Sequence, residues 1–189
     1  MKTEELTTEQ RLEIITNMIG QAKQNFAKGG SFQILLWGWV IAAANLGHYA
    51  LEKIGYEYPY AVWLIVIPAV VVSIVQSVNM RKNSPVKSHV DKVYGQIWLA
   101  AFIVFIIVLS FMNQLNFHHN PVILAIAGMG MYITGNLLRF RPVIFGAVVL
   151  WVGAVLAFNL PVAEQYLVGG ISILIGYLVP GYLLKKEEN

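Results

Sequence analysis

Six stretches of this chain, each close to the ~20 residues that a helix needs to cross a bilayer, contain no Asp, Glu, Lys or Arg. They cover residues 32–51, 60–80, 93–112, 121–138, 142–158 and 166–184. An α-helix rises about 1.5 Å per residue, so each stretch reaches most or all of the way across ~30 Å of hydrocarbon. One central charge would oppose insertion by roughly 2.5–3.5 kcal/mol, and every charged residue falls outside the stretches. Charged residues make up 12% of the 189 residues and hydrophobic ones 57%. A soluble domain carries about 25% charged residues, so too little polar surface exists here to clothe a globule in water. The fold class expected is all-α: a polytopic transmembrane bundle of six spans, residues 31–189, preceded by an amphipathic helix and a Gly-Gly hinge over residues 1–30.

Basic residues orient the bundle. Twelve of them fall in the N-terminal segment, the 81–92 and 139–141 connections and the tail, whereas Lys53 alone falls in the alternate loops. Lys and Arg are retained in the cytoplasm, which predicts cytoplasmic termini, with a bacterial inner membrane as the setting. The net charge of +3 is spread along the flanks of the spans rather than gathered in a patch, so no nucleic-acid partner is expected. The opening MKTEELTTEQ has no basic stretch leading into an apolar one, and no cleavable signal is expected. With no cysteine, disulfides and thiolate chemistry are excluded.

Prolines mark the outer turns at residues 52–59, 113–120 and 159–165. Pro59, Pro121 and Pro161 stand at or just before the starts of spans, and Pro142 opens the fifth. Pro68 and Pro180 fall inside spans and predict kinks, or an early end to the last helix.

Before the first span, Thr7 and Gln10 have the spacing of a capping box. Leu12, Ile15, Ile19, Ala22 and Phe26 then recur at intervals of three and four, one apolar stripe on a helix. Arg11, Glu13, Asn17, Gln21, Lys23, Gln24 and Lys28 oppose it. Gly29-Gly30 is expected to end this helix before Ser31. The stripe suits the membrane surface, the protein's own cytoplasmic face or a protein partner.

Small residues line several spans: Gly38, Ala42 and Gly47 in the first, Ser73 in the second, Gly153 and Ala157 in the fifth, Ser172 and Gly176 in the sixth. Such spacing lets helix backbones approach where lipid supplies no hydrophobic drive between them. Packing within one bundle is the expected use, with a homo-oligomer left open. Trp37, Trp39, Trp63, Trp98, Tyr58 and Tyr60 read as interfacial anchors, and Trp151 as core. His118-His119 reads as a solvated loop pair, since a third metal ligand is not evident nearby. His48, one turn from Asn45, reads as a satisfied interfacial histidine.

Gln33, Gln76, Gln96 and Asn136, on four different spans, all fall near the cytoplasmic boundary. A buried amide without a partner costs several kcal/mol, which leaves two readings: shallow solvation, or a polar vestibule covered by the Leu12–Phe26 helix folding over the Gly-Gly hinge. The chain shows no HExxH, no GxSxG, no paired aspartates and no phosphate-cradling glycine loop, so no catalytic, cofactor or metal site is expected.

Three stretches, FQILLWGWV, RFRP and GYLVPGYLLKK, together with the six-span layout, resemble a group of small uncharacterised bacterial six-helix membrane proteins. A weaker similarity is to membrane proteins of the HdeD acid-resistance type, also six-span and glycine-rich. The resemblance implies a fold and no activity, cofactor or site residue. Two functions stay open: a non-catalytic accessory, scaffolding or regulatory protein acting through the N-terminal helix or helix faces, and a small channel or carrier for an uncharged or weakly polar solute.

Overall fold

A computed structural model describes the backbone of residues 7–83 and 89–188, and side chains for 7, 10, 30–79 and 92–187. Among the described residues there is no strand, and six helical spans are long and apolar enough to cross a membrane. The protein is an all-α integral membrane bundle.

Helix α1 runs without interruption over Thr8–Lys53. Its start is the expected capping box: the Thr7 N–H donates to Gln10 Oε1 at 2.9 Å and the Gln10 N–H to Thr7 Oγ1 at 3.3 Å. The expected break at Gly29-Gly30 does not occur. Two helical glycines cost about 1 kcal/mol each relative to alanine. Gly30 is buried in the bundle, and a break there would strip backbone groups of partners where the protein itself excludes water, which is the larger penalty. With 46 residues, α1 is about 70 Å long, more than twice the hydrocarbon thickness. The side chains of Leu12, Ile15, Ile19, Ala22 and Phe26 lie outside the described residues.

The two internal prolines act differently. Residues Pro59–Ile65 wind as a 3₁₀ helix and pass into α2, Val66–Asn83, just ahead of Pro68. Pro68 has no N–H to bond the Leu64 carbonyl, so the tighter winding stops where α geometry becomes possible again. In the sixth span, α6 (Val162–Ile173) leads into a π turn at Leu174–Leu178 and then α7 (Val179–Glu188). Pro180 cannot donate to the Gly176 carbonyl, and its ring crowds that oxygen. The wide turn absorbs the misfit, so the helix does not end early.

The core is formed by α1, α4 (His119–Leu138), α5 (Arg141–Phe158) and the α6–α7 span, with α4 against α5 and α1 against α6 and α7. Leu124, Met131, Val143, Ala147 and Leu150 fill its centre. Glycines set the helix spacing. A Cβ on Gly176 would lie 2.8 Å from the Gly146 carbonyl oxygen, and one on Gly146 would collide with the Gly176 carbonyl. The two backbones therefore touch directly, in the geometry of reciprocal Cα–H···O contacts. Between α4 and α5, Arg139 takes a left-handed conformation (φ 53°) and the Phe140 N–H closes on the Gly135 carbonyl at 2.9 Å. This Schellman closure makes a two-residue connection.

Helices α2 and α3 (His89–Ser110) are peripheral. The former lies on α1, the latter mainly on α4, with little contact between the two among the described residues.

Candidate functional site

At the end of the bundle opposite the termini, residues from α1, the 3₁₀ segment, α4 and α6 bring a polar cluster into the protein interior. Asn45, His48, His119, Asn120, Gln165 and Tyr166 are all buried. Removing so many polar groups from water requires that they satisfy one another.

Two amides form the inner part. Asn120 Nδ2 donates to Asn45 Oδ1 at 2.8 Å, and Asn45 Nδ2 donates back to the Ile41 carbonyl of its own helix at 2.9 Å. Gly169 makes room for both, since a Cβ there would stand 2.8 Å from each amide oxygen. Toward the loops, the Trp63 indole donates to His48 Nδ1 at 3.0 Å. A ring nitrogen that accepts carries no proton, so neutral His48 holds its hydrogen on Nε2. That atom is 3.7 Å from Glu52 Oε2. Tyr166 stacks on His48 with ring centroids 3.8 Å apart, and its hydroxyl is 3.4 Å from His119 Nε2.

Gln165, fully buried, uses both amide hydrogens, one to the Leu160 carbonyl at 2.9 Å and one to His118 Nδ1. Among the described residues nothing donates to its Oε1. The Phe117 backbone interacts with the His119 ring, yet His119 Nδ1 reaches no partner in hydrogen-bond geometry. A rim ion pair, Lys53 Nζ to Glu164 Oε1 at 2.7 Å, ties α1 to α6 above the cluster. Among the described residues no three His, Asp or Glu side chains meet as metal ligands.

The turn at residues 111–118 explains why the histidines are inside. Asn116 and Phe117 are both left-handed, with φ of 48° and 64°, an uncommon conformation for a bulky side chain. The reversal starts α4 at His119 itself, so the pair caps the bundle. His119 is buried and His118 half-buried, which corrects their reading as a solvated loop pair. His48 is buried and satisfied, accepting the Trp63 indole N–H. Trp63 and Trp98 are more than anchors, because each donates its indole N–H inside the bundle, Trp98 to Thr134 Oγ1 at 3.3 Å. Trp151 is half-buried and donates to the Ala125 carbonyl at 3.1 Å.

The four amides expected near the other end do not converge. Gln33 Oε1 accepts from Ser73 Oγ at 2.7 Å while its Nε2 donates to the Ser73 carbonyl at 3.3 Å. Gln76 is half-buried on α2, and Gln96 and Asn136 are exposed. Asn136 satisfies its amide locally, bonding the Tyr132 carbonyl one turn back at 2.8 Å. A polar side chain this close to the membrane boundary has local and aqueous partners within reach, and the need for a shared vestibule disappears. The continuous α1 likewise removes the hinge on which a lid would turn.

The small residues sit at helix contacts. Gly153 faces Ser172 so closely that a Cβ would collide with its hydroxyl, Gly38 meets Tyr177 and Leu178, and Gly47 meets Val62. Ala42 and Ala157 are buried. Sequence alone does not single out Gly169, because its neighbour Gly170 and the surrounding apolar run hide its specific role. An open apolar groove of ≈ 270 Å³ on α5, lined by Val148, Trp151, Val152, Val155 and Leu156, faces outward. No protein family, curated protein or solved structure matches this chain.

Proposed function

We propose that this is a non-catalytic scaffolding or regulatory protein of a bacterial inner membrane, with both termini cytoplasmic, working through the N-terminal part of α1. The observation that carries this reading is the unbroken helix from Thr8 to Lys53. About 22 residues precede the span that begins at Gly30, roughly 33 Å of helix at 1.5 Å per residue. The Leu12–Phe26 stripe repeats on that segment with the three-four spacing that pairs one helix with another. The same helix carries Asn45 and His48 of the buried cluster. A continuous rod fixed in this way is what a docking element requires. The filled centre around Leu124, Met131 and Leu150 favours this reading over a solute path.

Photo-crosslinking residues placed at Ile15 and Ile19, and separately at Asn17 and Gln21, test it in native membranes. The stripe positions are expected to give a protein adduct of one discrete size that the opposite face does not give. Lipid adducts alone from all four positions, with flux of an uncharged solute such as glycerol through reconstituted vesicles above the protein-free rate, would overturn it.

A further inference from the structure

We propose that the His48–Trp63 hydrogen bond is a proton-sensitive latch, whose protonation frees the 3₁₀ end of the second span from α1. The 3₁₀ segment Pro59–Ile65 and α2 form one peripheral span, which among the described residues packs mainly on α1. Two polar links tie it there. Gln33 holds Ser73 toward one end, and the Trp63 indole holds His48 toward the other. The amide and hydroxyl of the first link do not titrate, whereas the imidazole of the second does. The two ties therefore respond differently to acid.

The bond fixes where a proton must go. An indole N–H can only donate, so His48 Nδ1 accepts and the neutral ring keeps its hydrogen on Nε2. Protonation adds a hydrogen to Nδ1 and sets it against the Trp63 N–H, two donors at a separation of 3.0 Å. The charged ring has favourable contacts elsewhere. Its Nε2 is 3.7 Å from Glu52 Oε2, one turn along the same helix, and the Tyr166 ring is stacked on it at 3.8 Å, as a cation over an aromatic face. Neither residue belongs to the 3₁₀ segment, so a proton replaces a bond between segments with contacts that leave this segment unheld.

The other titratable groups around His48 are engaged with one another. Lys53 pairs with Glu164 at the rim and lies over the Tyr49 ring. On the α4 side, His119 meets Tyr166 and His118 meets Gln165. Tyr60 of the 3₁₀ segment is exposed, and Tyr58 just before it donates to Glu57. Among the described residues, Glu52 is the carboxylate that reaches the ring. Because Nδ1 is occupied while the bond stands, the proton enters when the segment lifts and keeps it lifted. The closed form persists at high pH and is lost as pH falls through the histidine range, about 8 to 5. Loss of one hydrogen bond shifts the open-to-closed ratio about tenfold. With the proposed topology this end faces away from the cytoplasm and the latch reads external acidity; release itself does not depend on that topology.

The chain has no cysteine, so pairs of spin labels can be placed uniquely on the full-length protein in detergent. Tyr60→Cys with Phe158→Cys reports on the 3₁₀ end, and Val78→Cys with Phe145→Cys lies beyond the Gln33–Ser73 tie; all four native side chains are exposed. Between pH 8 and pH 5 the first distance should lengthen or broaden reversibly while the second stays constant. His48→Asn keeps an acceptor oxygen near the Nδ1 position without titrating, and should abolish the response. Trp63→Phe should be shifted toward the open distance already at pH 8 and be indifferent to acid. A first distance unchanged at pH 5 would overturn the latch, as would a response that persists in His48→Asn, which would place the proton on His118 or His119. Equal change in both label pairs would signify general loosening and overturn it as well.

Discussion

Replacing Gly146 with alanine tests whether direct backbone contact between α5 and the sixth span holds the bundle together. Two effects oppose each other. Alanine is favoured over glycine in a helix by about 1 kcal/mol. Against this, the new methyl would collide with the Gly176 carbonyl and crowd the Pro180 ring. The helices must separate, and overpacking of this kind costs about 1–3 kcal/mol. Separation also breaks the two Cα–H···O interactions, which contribute about 0.5–1 kcal/mol each. The net expectation is a destabilisation of about 2 kcal/mol. For a chain of this size that lowers the melting temperature by roughly 4–8 °C, read by thermal unfolding in detergent. Gly95→Ala is the matched control, since its Cβ meets nothing within 4 Å. It should melt at or slightly above the parent temperature. A Gly146→Ala protein as stable as its parent would refute the claim that the close crossing is needed.

Other outcomes follow from the same structure. Asn120→Ala should destabilise the bundle by about 1–3 kcal/mol, because Asn45 Oδ1 is left buried without its donor; adding Asn45→Ala should cost less than a second full increment in a double-mutant cycle. Arg139→Gly should raise the melting temperature, since a non-glycine left-handed residue costs about 1–2 kcal/mol and the Schellman closure is kept. A reporter active outside the cytoplasm should give signal when fused after Gln114 and none after Lys87 or Asn189; signal at Lys87 would break the proposed topology.

The spans are legible in the sequence because a charge inside lipid is costly enough to leave a sharp blank. Their observed ends agree with the apolar stretches to within a few residues, apart from α6, which starts four residues before 166. It takes in Glu164 because that carboxylate sits at the rim against Lys53. The polar cluster is not legible. Asn45, His48, Trp63, Asn120 and Gln165 are distant in the chain, and none carries a motif. His118-His119 reads as loop until Asn116 and Phe117 are known to turn left-handed. Gly29-Gly30 misleads for a different reason: local propensity favours a break, but Gly30 is buried in the bundle, where open backbone is penalised more. The Gln33, Gln76, Gln96 and Asn136 grouping fails because sequence reveals depth in the membrane and not facing direction.

The amide pair also bears on how the chain is assembled. Asn45 enters the membrane with the first span, whereas its partner Asn120 arrives 75 residues later. An isolated amide would be a hazard throughout that interval. One of its two amide hydrogens, however, is already committed to the Ile41 carbonyl within α1, and the His48 Nδ1 on the same helix finds its donor in Trp63 from the next span. The first hairpin can thus satisfy most of its own polar groups during synthesis. The Asn45 carbonyl oxygen is carried forward, and the arrival of the fourth span, with Asn120 in its first turn, supplies its donor and ties α1 to α4 at that point.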